Sequence, residues 1–168
     1  MDFDWVCCLS LAEEMRNTAE KLQNDAEQQC LREAYLRSAI SRFYYAVFCV
    51  ARNLLDEYID DAPEEYTHKF VRCEYLKAAD KEVKKVGRYL DRLWGKRRQA
   101  DYDDEIISKG KILDVNDIAE EAKTANKEAR DSIQQIRQLK FIALLSSSFK
   151  TERCEKYLAQ FPVQTSLE

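Results

Sequence analysis

Three glycines and two prolines are all the strong backbone breakers in this chain of 168 residues. In a helix interior a glycine costs about 1 kcal/mol and a proline about 3 kcal/mol relative to alanine. A chain so poor in both is free to run in long helices. Charged residues make up 35% of it and hydrophobic residues 45%, the balance of solvated amphipathic helices around one core. The length suits a single domain that needs no disulfide or metal staple. The aromatic content of 11% separates the chain from disordered acidic sequences.

Apolar periodicity places the helices. A partial stripe of Val6, Leu9, Ala12, Ala19 and Leu22 predicts a first helix over about 3–24. Leu36, Ile40, Phe43, Val47, Val50, Leu54 and Leu55 recur at three- and four-residue steps and predict a second over about 27–59. Tyr44, Tyr45 and Phe48 make that helix apolar over most of its surface, as expected of a central helix covered on several sides. Asp60-Asp61-Ala62-Pro63 ends it. A third helix is predicted over about 66–79, with Phe70, Cys73 and Leu76 or Lys77 inward. A fourth, over about 81–100, carries Val83, Val86, Leu90, Leu93 and Trp94. A loop is expected around Ser108-Lys109-Gly110-Lys111. The last long helix is expected to start near Asp117 with an Asp117/Glu120 capping box, and it carries Ile118, Ala122, Ala125, Ala129, Ile133, Ile136 and Leu139. The sum is an all-α fold, an antiparallel bundle of four or five helices over residues 1–145, with 146–168 as a tail that adds at most a short helix.

The net charge of −4 excludes a generally cationic coat for nucleic acid, though not a local basic patch. The six cysteines form no Cys-x-x-Cys pair, and His68 is the only histidine. A zinc site would have to be assembled from scattered residues, so no metal and no cofactor is expected. The acidic start Met1-Asp2-Phe3-Asp4 lacks the basic region of a signal peptide. No apolar run approaches the roughly 20 residues that cross a bilayer. Free thiols and these absences lead us to expect a soluble protein of the reducing cytoplasm.

Some residues stand in unexpected places. Beyond Trp94 the inward stripe of the fourth helix reaches Arg97 or Arg98 and then Asp101. Arg97 and Asp101 have the i, i+4 spacing at which side chains meet. Spacing alone leaves two readings, an ion pair at a helix end or an arginine and an acid held in a cleft or dimer groove. Between Lys81 and Arg98 stand eight basic residues against two acids, a face that either is simply solvated or neutralises phosphates. Arg42 lies on the most apolar helix and is expected to pair with an acid or a backbone carbonyl as a structural anchor. His68 is expected to be an ordinary residue of a helix's first turn.

Two segments resemble a known family. Arg37-Ser38-Ala39-Ile40-Ser41-Arg42-Phe43-Tyr44-Tyr45-Ala46-Val47-Phe48 is similar to the second-helix signature of the HEPN superfamily, the higher eukaryotes and prokaryotes nucleotide-binding domains. Arg97-Arg98-Gln99-Ala100-Asp101-Tyr102-Asp103 resembles the Arg-x-x-Ala-Asp-Tyr-Asp signature of a small stand-alone branch. Thr67-His68-Lys69 and the alanine-rich last helix also fit, so that the resemblance covers about residues 30–140. It implies a bundle that dimerises through the motif-bearing helices around a shared groove. It further implies an RNA-cleaving or nucleotide-binding role in toxin–antitoxin or phage-defence modules. Many such proteins pair with a minimal nucleotidyltransferase, and in some pairs that partner modifies a tyrosine near the groove.

On this resemblance Arg97, Asp101 and Tyr102 are the candidate catalytic residues, and Arg42, Arg98 and Asp103 the candidate RNA- or nucleotide-binding ones. The family's usual Arg-x4-6-His arrangement is missing, since no histidine follows Arg97. Arginine stays protonated and can steady phosphorane charge without acting as a base. Tyr102, with an ordinary pKa of about 10, would be roughly 0.1% phenolate at neutral pH. Asp101 or Asp103 could take a proton, weakly. A general base is worth about 10²–10⁴ in rate. The expectation is therefore slow cleavage, cleavage by an altered set of groups, or none. The rival readings are a non-catalytic nucleotide- or partner-binding module and a purely structural adaptor.

Overall fold

The computed structural model describes residues 4–57 and 67–143, and the side chains of these up to residue 139. Among them are five α-helices: α1 (Val6–Lys21), α2 (Gln29–Asp56), α3 (His68–Lys77), α4 (Lys81–Tyr102) and α5 (Val115–Ala143). A one-turn 3-10 helix (Ala26–Gln28) leads into α2. The architecture is the expected all-α bundle. The expected helix end at Asp60–Pro63 and the tail after Ser146 lie outside the described residues.

α2 is the spine. Leu36, Ala39, Ile40, Phe43, Tyr44, Ala46, Val47, Phe48, Leu54 and Leu55 are all buried, and the helix packs against α1, α3, α4 and α5. This is what its nearly all-round apolar surface predicted. From α5, Ile118, Ala122, Ala125, Ala129, Ile133, Ile136 and Leu139 are buried, as their spacing required. On α3 the inward set is Val71, Cys73, Glu74 and Tyr75, while Phe70 and Leu76 are only partly covered. The Tyr75 hydroxyl donates to the Ala51 carbonyl of α2 at 3.0 Å. This bond locks α3 to the spine and satisfies a buried phenol.

α3 and α4 approach very closely at Gly87. A Cβ there would stand 2.6 Å from Leu76 N and 2.8 Å from the Tyr75 carbonyl carbon. Only glycine admits the α3 backbone at that distance. The Asp80 carboxylate caps α4 by accepting from Glu82 N and Val83 N.

Two local expectations are corrected. The loop after α4 contains a two-stranded ribbon, β1 (Ile107–Ser108) and β2 (Lys111–Ile112). Its turn residues Lys109 and Gly110 have φ of 51° and 78°, the positive pair that a tight hairpin demands. The N-cap of α5 is Asp114 rather than Asp117. Its Oδ1 accepts from Asn116 N and Asp117 N. Asp117 Oδ2 is reached in return by Asp114 N at 3.4 Å and by Lys111 Nζ at 2.7 Å. The reciprocal box therefore sits three residues earlier than the spacing suggested, because the ribbon delivers the chain to Asp114 already turned.

The five cysteines among the described residues, Cys7, Cys8, Cys30, Cys49 and Cys73, are free thiols. No helix of the described residues is long and apolar enough to cross a membrane.

Candidate functional site

The C-terminal half of α4 continues its buried stripe from Leu90 and Leu93 to Arg97. Spacing left Arg97 and Arg98 as alternatives, and the fold selects Arg97. It is 7% exposed, whereas Arg98, about 100° further round the helix, is exposed. Arg98 does not join the cluster around Arg97.

A buried guanidinium survives only with partners, and Arg97 has several. Its Nε lies 2.6 Å from Asp101 Oδ2, one turn along α4. The contact is an ion pair without the alignment of a hydrogen bond. Its Nη2 donates to the Tyr45 hydroxyl at 3.0 Å and to the Tyr102 hydroxyl at 2.9 Å. The guanidinium carbon stands 4.9–5.3 Å from the ring centres of Tyr102, Trp94 and Tyr45, an aromatic cage of cation–π type. Burial works against its charge. Tyr45, Asp101 and Tyr102 more than offset that, and the guanidinium is held above its ordinary pKa. Nη1 has no hydrogen-bond partner among the described residues and is not among their fully buried unpaired atoms. Nη1 is therefore a part of the cation that the described residues leave without a hydrogen bond.

One line of side chains on α2 builds the other wall. Glu33, Arg37, Ser41 and Tyr45 follow one another at four-residue steps, so they share a face. Tyr45 holds Arg97, as above. Ser41 Oγ donates to Asp101 Oδ2 at 3.1 Å. Arg37 donates to the Asp103 and Asp104 carbonyls, both at 2.8 Å, with longer approaches to the Gln99 and Ala100 carbonyls. It thereby ties down the turn that leaves α4, at the C-cap carbonyl of Asp103 and the Asp104 carbonyl beyond it. Glu33 orients Arg37 through Nε at 2.7 Å. Asp101 and the turn after Tyr102 are thus held from the spine.

His68 completes the arrangement from α3. The Thr67 hydroxyl accepts from Phe70 N and caps this helix, which makes His68 its first residue, as expected. Its ring is not an idle first-turn side chain, however. It packs 4.2 Å from Phe48, 5.0 Å from Trp94 and 5.7 Å from Tyr45, centre to centre. Nδ1 is 2.8 Å from the Tyr44 hydroxyl. Trp94 and Tyr45 are therefore shared by His68 and Arg97. Arg72 adds a second guanidinium, 4.8 Å from the Trp94 ring and held by Asp91 at 2.8 Å. Desolvation first, then Arg97 and Arg72, push the imidazole below its ordinary pKa. It is neutral at pH 7.

Tyr102 is 67% exposed and presents its ring to solvent while its hydroxyl touches Arg97. Asp103 enters through its backbone, as the C-cap of α4 and an acceptor for Arg37. Arg42 is exposed and pairs with neither an acid nor a carbonyl among the described residues. Its guanidinium stands 5.9 Å from the Tyr45 ring centre instead. The basic run on α4 is partly neutralised from α5, while one of its own two acids, Asp91, is taken up by Arg72 of α3. Lys96 pairs with Glu121 and Glu128, and Arg92 with Glu128. Among the described residues no cluster of three or more His, Cys, Asp or Glu side chains is placed to hold a metal.

Reasoning from the sequence missed Arg37, Ser41, Tyr45 and His68 as parts of this site. The first three were open to discovery, because a polar residue every fourth position on an otherwise apolar helix must be facing something polar. His68 had no such signal. Comparison of the chain with protein-family models, curated proteins and solved structures finds no match.

Proposed function

We propose that the chain acts on RNA through the Arg97 site, as a homodimer belonging to a toxin–antitoxin or phage-defence module of the cytoplasm. The observation that carries this reading is the guanidinium held almost out of water with one nitrogen still open. A desolvated, preorganised cation binds a phosphodiester far more strongly than a surface arginine does. In this scheme Arg97 takes the phosphate, Asp101 orients Arg97 or accepts a proton, and Tyr102 hydrogen-bonds to the substrate. Arg42 and Arg98 supply exposed charge for the flanking backbone, and Asp103 meets a base or ribose. The activity is that of a metal-independent endoribonuclease or of a degenerate relative that binds and cleaves slowly.

One observation favours a second reading. Asp101 Oδ2 is already engaged by Arg97 and Ser41, which leaves the site short of a strong base. A non-catalytic module that binds a nucleotide or a nucleotidyltransferase antitoxin would need none. The solvent-facing ring of Tyr102 is a point that such a partner could reach and modify.

The test is RNA binding and cleavage in EDTA, wild type against Arg97→Ala, with folding and oligomeric state checked by circular dichroism and sedimentation. Cleavage by the wild type alone supports the ribonuclease. Binding by the wild type alone, without cleavage, supports the degenerate relative. Equal behaviour of the two folded proteins overturns a role for Arg97. Calorimetry with nucleotides and a pulldown of a nucleotidyltransferase test the second reading.

A further inference from the structure

The Tyr44–His68 contact fixes where the histidine's proton resides. Tyr44 is fully buried, and burial pushes its phenol pKa far up, so the hydroxyl keeps its proton. His68 Nδ1, at 2.8 Å, is its hydrogen-bond partner, and it has no other among the described residues. A buried hydroxyl left without an acceptor costs about 1–3 kcal/mol. Tyr44 therefore donates to Nδ1, and Nδ1 must be the unprotonated nitrogen. A neutral imidazole carries one proton, which then resides on Nε2. The ring's covalent geometry points Nε2 away from Nδ1, hence away from Tyr44, and Nε2 is not among the fully buried unpaired atoms of the described residues. The residue is half-buried, and Nε2 has no hydrogen-bond partner among the described residues.

We infer that His68 is a working member of the Arg97 site, a neutral imidazole locked by Tyr44 in the Nε2–H form that donates this hydrogen bond to a phosphate oxygen of RNA bound at Arg97. This rests on the proposed RNA reading and deepens it. It assigns His68 the part of an anion-binding donor, which a neutral ring can play at pH 7. The same tautomer denies it the part of a base, since Nε2, the nitrogen not bonded to Tyr44, has no lone pair to offer. Phe48, Trp94 and Tyr45 around the ring hold it in place. Two guanidiniums nearby, Arg97 and Arg72, disfavour the doubly protonated ring that would break the Tyr44 bond.

His68 is the chain's only histidine, so the imidazole nitrogen spectrum of the untagged, full-length protein contains a single residue. The experiment is a long-range nitrogen–proton correlation at pH 7.5, before and after addition of a single-stranded RNA oligonucleotide and, separately, of a dinucleoside phosphate. Affinity for the RNA is measured on the wild type and on His68→Leu. The inference expects the Nε2–H pattern in the free protein, a shift of the Nε2 proton on adding either ligand, and a roughly ten- to hundredfold loss of RNA affinity in His68→Leu. Tyr44→Phe should release the lock and show a mixture of tautomers. An Nδ1–H pattern in the wild type, which requires no variant to fold, overturns the inference and leaves the RNA reading standing. So does RNA binding that His68→Leu leaves unchanged. A shift with the dinucleoside phosphate but no binding of the oligonucleotide keeps the anion site and overturns RNA as its ligand. No shift with either ligand overturns both.

Discussion

Tyr45 and Tyr102 accept hydrogen bonds from one and the same nitrogen, Nη2 of Arg97, at 3.0 and 2.9 Å. One hydroxyl comes from the spine and the other from the last residue of α4. The two substitutions to phenylalanine should therefore separate. Tyr45→Phe removes a partner on the covered side of the cation and should cost about 1–3 kcal/mol of stability. Tyr102→Phe, at a largely solvated ring, should cost under about 1 kcal/mol and yet impair RNA binding. Chemical denaturation alongside RNA titration checks both. Equal stability losses would place the two rings in equivalent surroundings, contrary to this structure.

Arg37 offers a second test. Its guanidinium holds the turn that leaves α4 through the Asp103 and Asp104 carbonyls. Arg37→Ala should destabilise the fold by about 2 kcal/mol, as two charge-assisted bonds are lost against partial rehydration. Arg37→Lys should recover only part of this, because an ammonium cannot span both carbonyls as a fork does. Urea midpoints at constant slope measure it.

The glycines of α4 make a controlled pair. Gly87→Ala drives a methyl into the α3 backbone and should cost about 1–3 kcal/mol net, despite the better helix propensity of alanine. Gly95→Ala meets nothing within 4 Å and should gain about 0.5–1 kcal/mol. Melting temperatures moving in opposite directions would bear this out. Since α3 carries His68, Gly87→Ala should also disturb the histidine resonance, and Gly95→Ala should not.

The lowered pKa of His68 makes stability depend on pH. The folded state binds its proton less readily than the unfolded chain, whose histidine titrates near 6.5. Stability is then flat above about pH 6.5 and falls as the pH drops toward the folded value, below which the loss is complete. The His68→Leu variant should lack this limb of the curve. The charged groups facing the ring are Arg97 and Arg72, and both push in the same direction.

Much of this was legible in the chain itself, for identifiable reasons. The stripe from Val83 to Leu93 and the spine from Leu36 to Leu55 are local periodicities, and local periodicity survives folding. The Arg97–Asp101 pair was legible because both residues ride one helix, where spacing is distance. Ser41, Tyr45 and Arg37 lay in a familiar-looking segment, but their partners are 52–67 positions away, and only the docking of α4 on α2 brings them together. His68 depends on a further step, the approach of α3 to α4 that Gly87 permits. The capping box was misread by three residues because a hairpin, rather than the helix, decides where α5 begins.

α2 is at once the centre of the core and the wall of the site. Its buried face sets the bundle's register, and its Glu33–Tyr45 line aims Asp101 and Arg97. Such a shared element leaves little room for an inactive but intact intermediate. Heating should extinguish function and structure along a single curve, and selection for activity would carry selection for thermal endurance with it.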